Sequence, residues 1–144
     1  MRLWHYRLLP YLPDAQFKGQ LREMVAIMHD WRDKGQTNHI LINRVMDYSR
    51  ADLHSYFLRY CDAYQQRCEG RLPKCVEEFE AFNASGDWTL TPFEGWHDKA
   101  YLRVCMANLY EKHVFGRGKS RITEAEWALL LYGYHNITGE HYII

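Results

Sequence analysis

The stretch Asp14-Ala15-Gln16-Phe17-Lys18-Gly19-Gln20-Leu21-Arg22-Glu23-Met24-Val25-Ala26-Ile27-Met28 decides how the rest of the chain is read. An α-helix advances about 100° per residue, and on that wheel Leu21, Met24, Val25, Ile27 and Met28 fall within roughly 80° of Phe17. They form one apolar stripe. Gly19, Glu23 and Ala26 lie on the opposite side, with Arg22 beside them. A glycine inside a helix is disfavoured by close to 1 kcal/mol relative to alanine. Gly19 therefore hints at space kept for a second backbone, such as the N-terminal segment, or for a ligand. The plainer alternative is a solvated helix face carrying Arg22 and Glu23. Pro10 and Pro13 hold the preceding residues extended, so the helix begins near Asp14.

Three further helix starts are marked in the sequence. Ser49 with Asp52 makes an approximate capping box, with Tyr48 and Leu53 placed as its hydrophobic staple. Thr91-Pro92-Phe93-Glu94 reads as an N-cap, a proline at the first helical position and a glutamate at the third. Thr123 with Glu126 repeats the box, and Ile122 with Trp127 the staple. These signals predict helices near 50–69, 92–114 and 124–135, with a shorter one over 74–82. Gly70 to Pro73, Gly86 to Leu90 and Gly116-Arg117-Gly118-Lys119 read as loops, and the apolar stretch from Ile137 to Ile144 is expected to pack back. The fold class is all-α, a compact single-domain bundle of about four helices over residues 1–144.

Composition narrows the function. Eleven tyrosines, six phenylalanines and five tryptophans with 25% charged residues describe a packed chain rather than a disordered one. No run of 18 apolar residues exists and no signal-peptide core is visible, so a cytoplasmic protein without a membrane partner is expected. Cys61, Cys68 and Cys75 recur every seven residues with Cys105 apart; no CxxC pair occurs, and reduced thiols are expected. The eight histidines show no HExxH or HxxxH spacing, so neither metal nor cofactor is expected. Eighteen basic and eighteen acidic residues give zero formal charge, which counts against non-specific coating of DNA but leaves room for a local basic face. Arg2, Arg7, Lys18, Arg22, Arg32 and Lys34 all fall in the first quarter.

A second reading concerns Met1. An α-amine titrates near 7.7–8.0, so a sizeable fraction is neutral and nucleophilic at physiological pH without any perturbation. Paired with a carboxylate, it suits Schiff-base chemistry at a sugar carbon.

Met1-Arg2-Leu3-Trp4-His5, the Leu9-Pro10-Tyr11-Leu12-Pro13 stretch and Gly19-Gln20-Leu21-Arg22-Glu23 resemble the pyrimidine-dimer DNA glycosylase family, in particular a bacterial branch opening MRLW. The resemblance continues through Tyr48-Ser49 and across His97 to Lys112, where Ala107-Asn108-Leu109-Tyr110-Glu111-Lys112 parallels an ARLDEK-like segment. It implies an all-α domain whose extended N-terminal segment reaches the active site. It also implies that the amine of Met1 attacks C1′ of the damaged nucleotide, that Glu23 supports the chemistry, and that β-elimination then cuts the strand. Arg2 and Arg22 would contact phosphate, with Lys112 and His97 further candidates for the DNA face. The implied partner is double-stranded damaged DNA, bound by a monomer associated with the nucleoid.

The chain departs from the family pattern at three places. Bulky Arg2 is expected to block removal of the initiator, so that Met1 itself would carry the amine; Ala26 stands where a second basic residue is expected; Asn108 stands where the family can have arginine. Two alternatives stay open: a glycosylase for another damaged or modified base, and a non-catalytic nucleic-acid- or protein-binding module. For Gly116-Arg117-Gly118-Lys119, which lacks the spacing of a P-loop, a basic turn is the expectation, and for Trp4 and Trp31 it is burial.

Overall fold

The computed structural model describes residues 2–35 and 39–144. Four long helices carry the architecture: α1 (Asp14–Asp33), α3 (Arg50–Arg67), α5 (Lys99–Val114) and α6 (Glu124–Thr138). Two short ones, α2 (Ile40–Met46) and α4 (Val76–Phe82), fill the spaces between them, and no strand occurs among the described residues. Both capping boxes form. The Ser49 hydroxyl accepts from the Asp52 N–H while the Asp52 carboxylate accepts from the Ser49 N–H, and Thr123 and Glu126 repeat this exchange. Each closes two otherwise orphaned helix-terminal donors. α6 ends at Gly139, whose φ of 74° is the left-handed conformation a helix stop favours. α2 was not foreseen: it is one seven-residue segment, and its N-cap position holds His39 rather than a hydroxyl or carboxamide residue.

The structure overturns two expectations. Residues Tyr6–Tyr11 form a 3-10 turn instead of an extended arm. The His5 imidazole caps it, accepting the Arg7 N–H at 3.1 Å, and Pro10 sits inside it. Curling brings Leu8, Leu9 and Leu12, each at most 1% exposed, onto the core together, which an extended segment with alternating sides could not do.

The second correction is at Thr91-Pro92, which does not open a helix. Phe93 takes a left-handed φ of 60°, its N–H donates to Asp52 Oδ1 at 2.9 Å, and its ring is fully buried. Such a backbone costs about 1–3 kcal/mol in a non-glycine residue. Burial of a phenylalanine returns about 1.5–3 kcal/mol, and the Asp52 bond adds to it. The chain therefore turns through residues 91–98, and α5 starts only at Lys99, where the Asp98 carboxylate accepts the Tyr101 N–H at 2.8 Å.

The buried side chains form a cluster with the N-terminal segment in its middle. Leu3, Leu8 and Leu9 are 0% exposed among Tyr56 and Phe57 of α3, Leu109 of α5 and Tyr134 of α6. Tyr11 lies so close to α6 that a Cβ on Gly133 would stand 2.4 Å from its ring, so only glycine fits there. Beyond α6 the chain packs back as far as Tyr142, whose ring meets Trp127 and Tyr134; Ile143 and Ile144 remain exposed. Cys61 and Cys105 are buried free thiols, and Cys68 and Cys75 are half-buried free thiols. No described helix is long and apolar enough to cross a membrane.

Candidate active site

The site is built on the backbone of residues 2–6, which is held by side chains rather than by another strand. The Arg2 N–H donates to Glu23 Oε2 at 2.7 Å. One turn earlier on α1, Gln20 closes a clasp: its Nε2 donates to the Arg2 carbonyl at 2.9 Å, and its Oε1 accepts the Trp4 N–H at 2.8 Å. The Tyr101 hydroxyl donates to the Leu3 carbonyl, and the Tyr56 hydroxyl to the Trp4 carbonyl at 2.6 Å and to Gln20 Oε1 at 3.1 Å. His97 Nδ1 accepts the Tyr6 N–H at 3.2 Å. Buried backbone polar groups must be paired, and here three helices and the turn before α5 supply the partners. The segment is fixed in register by chemistry as specific as a strand ladder.

Titration keeps those partners in role. Burial pushes the Tyr56 and Tyr101 hydroxyls upward, so both stay protonated donors. Burial lowers His97 to about 2, with the Coulombic fields of His5 and Arg44 adding to it, and lowers His5 to about 4. Both imidazoles are neutral, as acceptance of a backbone N–H requires. Burial likewise raises the Cys105 thiol behind the segment to about 11, which keeps it from acting as a thiolate nucleophile.

Glu23 faces a cleft of about 720 Å³ between the N-terminal segment, α1, α5 and the loop after α5. Arg2, Arg22 and Lys112 stand on its walls with Asn108, and Gly19 forms part of its floor. A Cβ added to Gly19 would meet only Arg22 Nη2, at 3.7 Å. The glycine therefore leaves open volume one turn from Glu23 rather than admitting a neighbouring backbone. The Arg2 guanidinium lies over the buried Trp4 ring, 5.3 Å from its centroid. Trp31 packs edge-on against Phe82, so both tryptophans take the packing role expected of them.

Of the residues singled out in the sequence, Arg2, Arg22, Glu23 and Lys112 converge on this cleft. Met1 lies outside the described residues. His97, expected on the helix, lies instead in the turn before α5 and is 6% exposed, packed in an aromatic cluster with His5, Tyr6 and Tyr101. A ring so placed holds the segment through the Tyr6 N–H. Gln20, Tyr56 and Tyr101 were missed. Gln20 sits inside the quoted Gly19–Glu23 motif, but nothing in spacing shows that a carboxamide will bridge two backbone groups. Among the described residues no group of three His, Cys, Asp or Glu side chains could hold a metal ion.

The fold thus buries its N-terminal backbone against a helix glutamate at the edge of a cleft walled by Arg2, Arg22 and Lys112 together with Glu111, an arrangement that could support carboxylate-assisted chemistry. Residues 1–69, just under half of the chain, match the family described as pyrimidine dimer DNA glycosylase. No curated protein and no solved structure matches it.

Proposed function

We propose that the protein excises UV-linked pyrimidines from duplex DNA and cleaves the strand at the resulting abasic site, acting as a monomer with the α-amine of Met1 as nucleophile. The observation that carries this reading is the 2.7 Å bond from the Arg2 N–H to Glu23 Oε2. An α-amine is three covalent bonds ahead of that nitrogen, so it can be no more than about 4 Å from it. In this reading the bond between the Arg2 N–H and Glu23 keeps the carboxylate within reach of that amine.

In the proposed reaction the neutral amine attacks C1′ while the glycosidic bond breaks, and the base leaves with the bonding electrons and a proton. The ring opens to an iminium. Loss of the 2′ proton to a base then expels the 3′ phosphate, leaving the chain linked to the nucleophile until water hydrolyses the imine. Glu23 would stabilise the positive charge at C1′ and relay the protons. Arg2, Arg22 and Lys112 would hold phosphate oxygens by charge-assisted bonds. A cleft of about 720 Å³ is of a size that accepts a small molecule or an extruded nucleotide. Asn108 on its wall, where the family can have arginine, favours a second reading in which the excised base is a different lesion.

Borohydride trapping of untagged protein on UV-irradiated, abasic and undamaged duplexes, followed by peptide mass mapping, tests the proposal. An adduct at Met1 on irradiated DNA supports it, and an adduct on abasic DNA alone supports the second reading. Absence of any adduct from protein with an unblocked N-terminus overturns both in favour of a binding module. Glu23→Gln keeps an oxygen for the Arg2 N–H and should fold normally, yet lower trapping by roughly 10²-fold or more.

A further inference from the structure

Five of the six phenylalanines, Phe17, Phe57, Phe79, Phe82 and Phe93, are at most 4% exposed, whereas Phe115 is 77% exposed. Phe115 stands on the rim of the same cleft that holds Glu23, beside Lys112. A lone exposed aromatic needs no explanation; three further features of its setting do.

First, the turn that presents it is pinned. Phe115 caps α5 with its N–H on the Glu111 and Lys112 carbonyls, and the Lys112 carbonyl also accepts from Gly116 at 3.2 Å and Ile122 at 3.4 Å. A Cβ on Gly116 would lie 2.1 Å from the Lys112 oxygen, so glycine is required where the backbone passes over itself. Second, the turn is tied across the cleft, since Gln16 Nε2 of α1 donates to the Ser120 carbonyl at 3.4 Å. Third, exposed cations flank the ring in sequence, Lys112 before it and Arg117 and Lys119 after it, while Arg22 lines the cleft from α1; Glu111 and Glu23 are the carboxylates on the same cleft. An apolar ring set among exposed cations matches a polyanion with apolar faces inside, not an apolar protein surface. Trp88, another strongly exposed ring, lies on a separate cleft whose arginine, Arg50, is already occupied by the Phe82 carbonyl and ring.

We propose that Phe115 is a wedge: it enters the base stack of duplex DNA beside the nucleotide that swings into the cleft, and fills the gap that nucleotide leaves. The inference rests on the glycosylase reading for its substrate. Extrusion breaks stacking on both faces of the leaving base, and an inserted apolar side chain replaces part of it and holds the duplex kinked. Phosphates flanking the opened step would meet Lys112, Arg117 and Lys119. The turn belongs to the half of the chain beyond the family match at residues 1–69.

The test compares wild type, Phe115→Ala and Phe115→Trp in single-turnover excision from a duplex with one cyclobutane dimer, and in borohydride trapping on a single-stranded abasic oligonucleotide. A duplex with 2-aminopurine beside the dimer reports unstacking directly. Phe115→Ala should lose on the order of 10-fold or more in duplex excision and most of the fluorescence rise, with single-strand trapping unchanged and Phe115→Trp restoring both. Equal excision and equal fluorescence for Phe115→Ala would overturn the proposal, and so would an equal loss on the single strand, which would place the ring on the reacting nucleotide. If wild type forms no adduct with any substrate, the glycosylase reading fails, and the 2-aminopurine signal still decides whether Phe115 unstacks DNA.

Discussion

Replacing Gln20 by alanine removes both ends of one clasp, and its effect can be worked out from the bonds involved. Gln20 is 1% exposed, donates to the Arg2 carbonyl at 2.9 Å and accepts from the Trp4 N–H at 2.8 Å. Alanine offers neither group. The Trp4 N–H lies in the interior and would be left unpaired, at about 1–3 kcal/mol; the Arg2 carbonyl, nearer the cleft, can recruit water and would cost less. The Tyr56 hydroxyl keeps its stronger bond to the Trp4 carbonyl at 2.6 Å and adds little. The sum is about 2–4 kcal/mol, which for a chain of this size lowers Tm by roughly 5–15 °C. Urea unfolding should show the loss at unchanged m-value, and hydrogen exchange should show the Trp4 amide losing protection before the α3 core does. On the proposed mechanism trapping should fall alongside, because the Arg2 carbonyl loses the bond that helps hold this backbone at Glu23. Gln20→Glu sharpens the test: it keeps the acceptor for Trp4 but turns a carboxylate oxygen toward the Arg2 carbonyl, and should be at least as damaging. Unfolding of Gln20→Ala within about 0.5 kcal/mol of wild type, with Trp4 protection intact, would refute the claim that side chains set the register of the segment.

Gly19→Ala should raise stability by up to about 1 kcal/mol, since its Cβ meets nothing nearer than Arg22 Nη2 at 3.7 Å; if the cleft floor receives substrate, denaturation and single-turnover assays will show a more stable and less active protein. Stability should also fall in acid. His5 and His97 have folded-state values lowered from 6.5 to about 4 and about 2. The unfolded chain therefore binds more protons below pH 6.5, and each histidine's contribution is complete above that pH and lost as pH drops toward its folded value. The slope is about 1.4 kcal/mol per pH unit for each. Thermal melts between pH 5 and 8 should show it, and His97→Phe should flatten the curve relative to wild type; parallel curves would refute the assignment.

Legibility in the sequence followed how local each cause was. The Ser49 and Thr123 caps need only residues three positions apart, and both formed as read. The apolar stripe of α1 needs only helical periodicity, and it left Glu23 and Gly19 on the cleft side. Thr91-Pro92 carries an equally good local signal, but it lost to a distant partner: Asp52, 41 positions away, takes the Phe93 N–H. The same limit hid the clasp. Gln20, Tyr56, His97 and Tyr101 come from α1, α3, the turn before α5 and α5, and only the assembled fold brings them to one stretch of backbone. Arg2, Arg22, Glu23 and Lys112 were named from a resemblance, and geometry alone brings the last of these across to the other three.

Tyr11 seated against Gly133 of α6, and the Leu3 carbonyl held by Tyr101, also have a consequence in time. The segment before α1 is packed by α5 and α6, which lie far along the chain from it. Until α6 docks, Leu3, Leu8 and Leu9 lack complete burial. Contacts of such sequence separation close slowly, so the segment that presents the Arg2 N–H to Glu23 is among the last parts of the fold to be fixed.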